Sequence, residues 1–262
     1  MTAAPYSILV VGAGHAGCEA ALVAARMGVP TALITQDRTA MARMSCNPSI
    51  GGIGKGHMVY ELDALGGEMG VNTDFTGLQF RLLNTTKGRA VQASRAQSDK
   101  AAYSNRMHAV IARQPSLTVI EGTAAGIQVE NGRVTGVKLA DGAVLAGQRV
   151  IITAGTFLNG VIHIGDEAVP GGRQGEPAAL GLSEELVAHG IRKIRLKTGT
   201  PARLAKDSLN YAAMERQPGD EPPPLFSWSG RREYQMFHVE HPAQSESQDP
   251  NVPRGTLALE GS

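Results

Sequence analysis

Residues 7–28 read SILVVGAGHAGCEAALVAARMG. Ser7 to Val11 is a short apolar run without alternation, the pattern of a strand buried on both faces of a parallel sheet. Gly12 to Gly17, GAGHAG, follow at once and match G-x-G-x-x-G. Cys18 to Met27 reads as an alanine-rich helix ended by Gly28. Thr31 to Thr35, TALIT, is the next strand, so a β-α-β unit closes within about 30 residues. In that setting each glycine has its own duty. Gly12 permits the tight turn, Gly14 lets the backbone reach a pyrophosphate, and Gly17 allows close helix–strand packing. The helix N-terminus supplies N–H donors, so Gly12, Ala13, Gly14, His15 and Gly17 are the candidate phosphate contacts. The alternative is a purely structural strand-to-helix turn.

Dinucleotide folds place an acid near the end of the second strand to hold a ribose hydroxyl. Asp37, 20 residues beyond Gly17, is the candidate, with Gln36 beside it. The fingerprint alone does not choose between FAD and NAD. Two features favour FAD. Residues 125–145 alternate, with Asn131-Gly132 and Asp141-Gly142 as turn signals, and read as an antiparallel meander. Gln148 to Thr153 then returns as an apolar strand closed by a second motif, Thr153-Ala154-Gly155-Thr156. This resembles the nucleotide domain of glutathione-reductase-type flavoproteins: an α/β, Rossmann-like FAD/NAD(P)-binding domain with a small β-meander insertion. Thr153, Ala154 and Gly155 join the candidate cofactor contacts.

The rest of the pattern predicts a helix beginning near Pro48, a helix over about 94–111, a strand at Leu117–Glu121 and a helix over about 178–189. From Gln217 onward prolines punctuate the chain, and 243–262 read as a flexible polar tail. The 262 residues suit one large or two modest domains. Lys plus Arg number 25 against 24 Asp plus Glu, which excludes a grossly basic nucleic-acid wrapper but not a local basic patch. Glycine is abundant, 32 residues with no collagen period, which implies many tight turns. Two cysteines cannot form a disulfide framework, and no metal-ligand spacing is present. No apolar run is long enough to span a membrane, and the N-terminus lacks a basic leader, so a cytoplasmic protein is expected.

A second glycine-rich stretch, MSCNPSIGGIGKGH, runs from Met44 to His57. It is not a P-loop, because Ser49 stands where the first glycine would be needed and Gly56 follows Lys55. Such a loop wraps a flavin ring or a phosphate with its backbone N–H groups, which makes Asn47, Gly51 and Gly52 candidate cofactor contacts. Cys46 precedes the expected helix start at Pro48, and helix N–H groups together with Lys55 would lower its thiol pKa. Cys46 and Lys55 are therefore the candidate catalytic residues, with a buried inert cysteine as the alternative. Cys18 reads as packing. His15 and His57 are either donors to a ligand or polar filler. Lys87, Arg89, Arg95 and Lys100 form one basic concentration; Arg192, Lys193, Arg195, Lys197 and Arg203 form another. Either is a phosphate-binding face or ordinary solvated charge.

Taken together, GAGHAGCEAALVAARMG, SCNPSIGGIGKGH, ELDALGG, RAVQASRAQSDK, TAGTFLNGVIHIG, GGRQGEPAA and RLKTGTPAR resemble the MnmG (GidA) family of tRNA wobble-uridine-modifying flavoenzymes. The resemblance covers about residues 7–229. It implies FAD as cofactor, NADH as reductant and methylenetetrahydrofolate as one-carbon donor. It implies tRNA and the GTPase MnmE as partners, a homodimer in the full-length form, no membrane, and an aminomethyl-type group installed at C5 of the wobble uridine. The family's proposed active-site cysteine falls on Cys46. The match fades after Phe226-Ser227-Trp228, so the expectation is the N-terminal portion of a longer sequence. Residues 1–200 would then be an incomplete FAD-binding domain, 201–242 the start of a second insertion domain, and 243–262 a divergent tail. The competing readings are an FAD- or NAD-dependent oxidoreductase acting on a small molecule, and an inactive nucleotide-binding fragment.

Overall fold

The computed structural model describes residues 6–44, 47–173, 175–197, 199 and 204–232. In chain order the elements are β1 (Tyr6–Val11), α1 (His15–Arg26), β2 (Thr31–Thr35), β3 (Ser49–Gly51), α2 (Gly56–Ala64), α3 (Met69–Thr76), β4 (Gly77–Leu83), β5 (Ala93–Ser98), α4 (Lys100–Arg113), β6 (Leu117–Glu121), β7 (Ala124–Glu130), β8 (Arg133–Leu139), β9 (Val144–Ile152), β10 (Val161–Ile164), β11 (Glu167–Pro170) and α5 (Leu182–Ala188). They fall into two compact units. One comprises residues up to 43 with 104–194, the other 44–103 with the residues from 195 on.

The first unit is built on a six-stranded mixed sheet of order β6-β2-β1-β9-β8-β7. β6, β2, β1 and β9 run parallel, and β8 and β7 continue antiparallel. β9 belongs to both halves: Val144–Ala146 pair with β8, and Gly147–Ile152 pair with β1. A Cβ at Gly147 would lie 2.5 Å from Leu9 Cγ, so glycine lets the strand change partners without displacing the core. That core gathers Leu9, Val11, Ala32 and Ile34 from the parallel strands with Ile127, Val137 and Leu139 from the meander and Leu182 from α5. Each of these Val, Leu and Ile side chains stabilises by about 1.5–3 kcal/mol relative to exposure. The expected strands, the helix after the fingerprint and the meander all form. Asn131 and Gly132 both take positive φ (51° and 73°), as the tight β7–β8 hairpin demands. α5 is shorter than expected, because Gly181 at φ +90° marks its start.

The second unit is a three-stranded antiparallel sheet, β3-β5-β4, with α2 and α3. Two sequence expectations fail here. No helix begins at Pro48. Ser49–Gly51 instead pair with Arg95–Gln97, and Gly51, Gly52 and Gly54 take φ of +79°, +94° and +70°, which holds off α2 until Gly56. The helix expected over 94–111 is a strand followed by a helix. In β5 the buried Ser94, Ala96 and Ser98 alternate with half-buried Arg95 and Gln97, a strand period. Asp99 then accepts from Ala101 N (2.8 Å) and Ala102 N (2.9 Å), which caps α4.

The proline-punctuated stretch packs onto this unit. Asp220 N donates to Phe80 O (2.8 Å). Phe226 is fully buried, 5.4 Å from the Tyr60 ring. The Asp74 carboxylate accepts from Phe226 N (2.8 Å), Ser227 N (2.7 Å) and Ser227 Oγ (2.6 Å). The expected flexible tail, 243–262, lies outside the described residues. Among the described residues no helix is long and apolar enough to cross a membrane.

Candidate functional site

The turn after β1 is fastened through its carbonyls. Gly12 N donates to Ile34 O (2.8 Å), and Gly12 takes φ +98°. Thr153 donates twice, from N to Val11 O (2.8 Å) and from its hydroxyl, which lies 2.9 Å from both Val11 O and Gly12 O. Ala13 O accepts from Ala42 N (2.9 Å) and Cys18 Sγ (3.4 Å), and Gly14 O accepts from Cys18 N (3.0 Å). Three successive carbonyls are thus bound inside the protein and the Gly12 N–H is taken up by β2, so the donors left to the site are those of the first turn of α1. Gly14 caps α1 with no side-chain bond, and a Cβ there would meet nothing within 4 Å. A Cβ on Gly17, by contrast, would lie 1.7 Å from Gly12 O. The helix can therefore sit against the turn only with glycine at 17. The first N–H groups of a helix lack intrahelical acceptors, and its dipole favours an anion there. An open, side-chain-free cradle rimmed by such donors fits a dinucleotide pyrophosphate.

Thr153 is thus joined directly to the fingerprint, and Ala154 and exposed Gly155 (φ +60°) lead the chain away from it. Burial lowers the His15 imidazole below its ordinary pKa, which favours the neutral ring. Burial pushes the Cys18 thiol up to about 12, and the side chain is wholly inaccessible, as a packing residue should be. Asp37 follows β2, at the place where a dinucleotide fold needs an acid. Its Oδ1 accepts from Thr39 Oγ1 and Thr39 N, both at 2.7 Å, and Oδ2 faces Arg43 at 3.6 Å. The Thr39 bonds first, and then Arg43, hold the Asp37 carboxyl below the usual aspartate value.

The second glycine-rich stretch lies in the second unit. Cys46 is outside the described residues, and the helix expected to activate it starts instead at Gly56. The loop is moulded on β5 and Phe226. Gly52 N donates to Ser94 O (2.8 Å), and a Cβ on Gly51 would lie 2.3 Å from Ser94 O and 2.6 Å from Phe226 Cζ. Asn47, Ser49, Gly51, Gly52, Ile53 and Lys55 line a cleft of about 300 Å³, completed by Leu83 and Arg95. Lys55 is exposed at the start of α2, and His57 is exposed two residues on. The sequence marks Arg95 as one of several cations but does not place it in this cleft. Sequence reasoning also misses Asp74 and Phe226, whose pairing spans 152 positions and leaves no local pattern. Lys87, Arg89, Arg192, Lys193, Arg195 and Lys197 are exposed, and Arg203 lies outside the described residues. Among the described residues no group of three His, Cys, Asp or Glu could hold a metal ion.

A parallel sheet whose first strand opens through G-x-G-x-x-G into a helix, with an antiparallel meander returning beside it, defines a Rossmann-like dinucleotide-binding α/β protein. The model of the family described as glucose inhibited division protein A matches residues 7–249, and the chain belongs to that family. It is 53% identical over 227 residues to the tRNA uridine 5-carboxymethylaminomethyl modification enzyme MnmG of Geobacter sulfurreducens, a match covering 87% of this chain and 36% of that protein. The crystal structure of Aquifex aeolicus GidA (form II) is similar with a TM-score of 0.82 at 49% identity, covering 87% of this chain and 38% of that one. The GidA-related protein from Thermus thermophilus is similar with a TM-score of 0.51 at 25% identity, covering 72% and 70% of the two chains. The chain thus spans little more than a third of the length of the MnmG relatives it matches.

Proposed function

We propose that this chain binds FAD on its first unit and serves the tRNA modification after which its relatives are named. The product would be a carboxymethylaminomethyl-type group at C5 of the wobble uridine, formed together with the GTPase MnmE. The observation that carries the reading is the 53% identity to MnmG over 87% of the chain. The sheet order, with the meander feeding β9 back beside β1, supports the glutathione-reductase-type subclass.

When bound, FAD supplies hydride transfer, with NADH as reductant and methylenetetrahydrofolate as one-carbon donor. The chain's own part is to hold and position. The N–H groups from Gly14 to Gly17 bind the pyrophosphate, while Thr153 fixes the turn that presents them. Asp37 Oδ2, the oxygen not engaged by Thr39, is the acceptor for a ribose hydroxyl. Asn47, Gly51 and Gly52 line the second unit's cleft and are the proposed contacts of the Cys46 loop with ligand. A cysteine thiolate that adds to C6 of the uracil makes C5 nucleophilic; Cys46 is the cysteine this chain offers for the active site, with Lys55 as the cation nine positions further along the sequence. The functional form is a homodimer of the whole protein.

The absorption spectrum of the purified chain, with FAD titration, tests the cofactor. Saturable binding is expected, and a folded chain that binds no FAD would overturn it. Nucleoside mass spectrometry of tRNA incubated with MnmE, methylenetetrahydrofolate, NADH and an amine tests the reaction. In the whole protein, Cys46→Ser should keep the flavin and lose the modified nucleoside; retained modification removes Cys46 from the mechanism.

A further inference from the structure

We propose that the cleft between the glycine loop and β5 is a phosphate-binding subsite that takes the backbone of the RNA substrate. Naming RNA as the source rests on the tRNA-modifying reading above; the anion chemistry does not. Residues 77–98, which make β4, its connection and β5, contain Arg81, Lys87, Arg89 and Arg95 and no acidic residue. Residues 44–60 add Lys55 and again no acid. Five cations without a carboxylate stand out in a chain whose formal charge is only +1.

The sheet register concentrates them. Arg95 pairs with Arg81 on one side and with Gly51 on the other. Like charges directly opposite on neighbouring strands destabilise a sheet, so an arrangement that keeps both arginines invites an anion. Arg81 Nη1 donates to the neutral Gln217 Oε1 (2.8 Å). Among the described residues neither Arg95 nor Lys55 makes a salt bridge. Asp220, the carboxylate bonded to this sheet, accepts from Leu82 N on the outer edge of β4. Gly52 leaves room beside the Arg95 stem, where its Cβ would lie 3.9 Å from Arg95 Cδ.

The cleft is therefore lined by residues that carry a guanidinium (Arg95), an ammonium (Lys55), a hydroxyl (Ser49) and an amide (Asn47), beside apolar Ile53 and Leu83. Its volume of about 300 Å³ leaves space for a sugar beside the phosphate. The cations also continue past it. β4 ends at Leu83, a residue of the cleft wall, and the connection leaving it carries exposed Lys87 and Arg89. A track of charge beyond a single pocket suits a polyanion better than an isolated carboxylate or mononucleotide.

The test uses the intact chain and a fluorescein-labelled anticodon stem–loop RNA, with anisotropy followed over a salt series. UMP and inorganic phosphate are titrated in parallel. Lys55→Gln combined with Arg95→Gln should weaken RNA binding about tenfold or more and reduce the slope of log K against log salt by about one. Lys55→Arg with Arg95→Lys should keep the wild-type slope. Lys55→Gln alone changes an exposed side chain, so it reports even where the double variant melts early. If UMP and phosphate binding weaken while RNA binding does not, the RNA assignment is overturned and the subsite belongs to a small phosphorylated molecule. If no probe responds to the substitutions, or the wild type binds none of them, the proposal fails outright. FAD titration of the same variants separates the two readings. FAD binding retained with no RNA response counts against the subsite alone, whereas a wild-type chain without FAD binding counts against the cofactor assignment.

Discussion

Gly14 and Gly17 stand three residues apart in one motif, and the structure gives their alanine variants opposite phenotypes. At Gly17 the added Cβ would lie 1.7 Å from Gly12 O and 2.7 Å from Thr153 Oγ1. Ordinary contact begins near 3.4 Å, so α1 and the turn must separate by between 1 and 2 Å, and both partners are fixed by hydrogen bonds. Overpacking of this kind costs about 1–3 kcal/mol and occasionally more, against a helix-propensity gain of about 1 kcal/mol. Because the clash is with backbone, the upper end applies, and a net loss of about 2 kcal/mol lowers Tm by about 4–8 °C. At Gly14 the added Cβ meets no protein atom, and φ of −71° suits alanine. The cost is the poorer N-cap, about 0.5–1 kcal/mol. The methyl instead occupies the space through which a pyrophosphate reaches the first-turn N–H groups. Losing one charge-assisted hydrogen bond, about 1.5–3 kcal/mol, weakens FAD binding by about 10- to 150-fold. Thermal denaturation followed by circular dichroism, together with FAD titration by flavin fluorescence, reads both quantities. Unchanged FAD affinity in Gly14→Ala would refute the assignment of that glycine, and Gly17→Ala with a wild-type Tm would refute the packing argument.

Thr153→Val keeps the shape but removes the hydroxyl shared by Val11 O and Gly12 O; a loss of about 1 kcal/mol in urea denaturation and weaker FAD binding are expected, and no change in either would show that the tether is idle. Cys18, buried with a thiol pKa pushed up to about 12, should resist iodoacetamide at pH 8 in the folded chain and react only in denaturant, as peptide mass mapping can establish. Asp74 bears on pH dependence. Burial raises its carboxyl pKa against the opposing pull of Ser227, Phe226 N and Arg231. The native state then holds a proton that the unfolded state has released above about pH 3.9, so its contribution to stability is greatest below that value and declines as pH rises through the native pKa. The stability margin of wild type over Asp74→Asn, measured by urea denaturation across that range, should narrow as pH rises; a widening margin would contradict the assignment.

How much could be read from the chain depended on how local each signal was. The β1–turn–α1–β2 unit is written in consecutive residues, as are the hairpin turns at Asn131-Gly132 and Asp141-Gly142, and all form as expected. The stretch around Pro48 misled because proline is favoured both at a helix start and at the edge of a strand. What decides it is the pairing of Ser49–Gly51 with Arg95–Gln97, more than 40 positions away, together with the positive φ of Gly51 and Gly52. Residues 93–98 were hidden for a related reason. ASRAQS has helix-tolerant residues, and its strand character comes from lying between β3 and β4. The site divided along the same line. The fingerprint glycines were legible, but the threonine that secures them lies 141 positions downstream of Gly12, and Asp74 meets Phe226 across 152.

The two glycine-rich stretches look alike in composition, yet the structure sorts their glycines into two kinds. Gly17, Gly51 and Gly56 are packing glycines, because a Cβ on each would fall within 2.8 Å of a backbone oxygen. Gly14 and Gly54 have nothing within 4 Å of the missing Cβ, so no contact within the protein demands glycine there. Gly54 at φ +70° is explained by its backbone conformation alone. Gly14 is not, since its φ of −71° is open to any residue. A glycine required neither by packing nor by dihedral angle, placed at the uncapped start of a helix, is accounted for by what must approach it from outside. This is why the anion-binding reading of the first unit rests on Gly14 more firmly than on the other glycines of the motif, and why binding rather than stability is the measurement that bears on it.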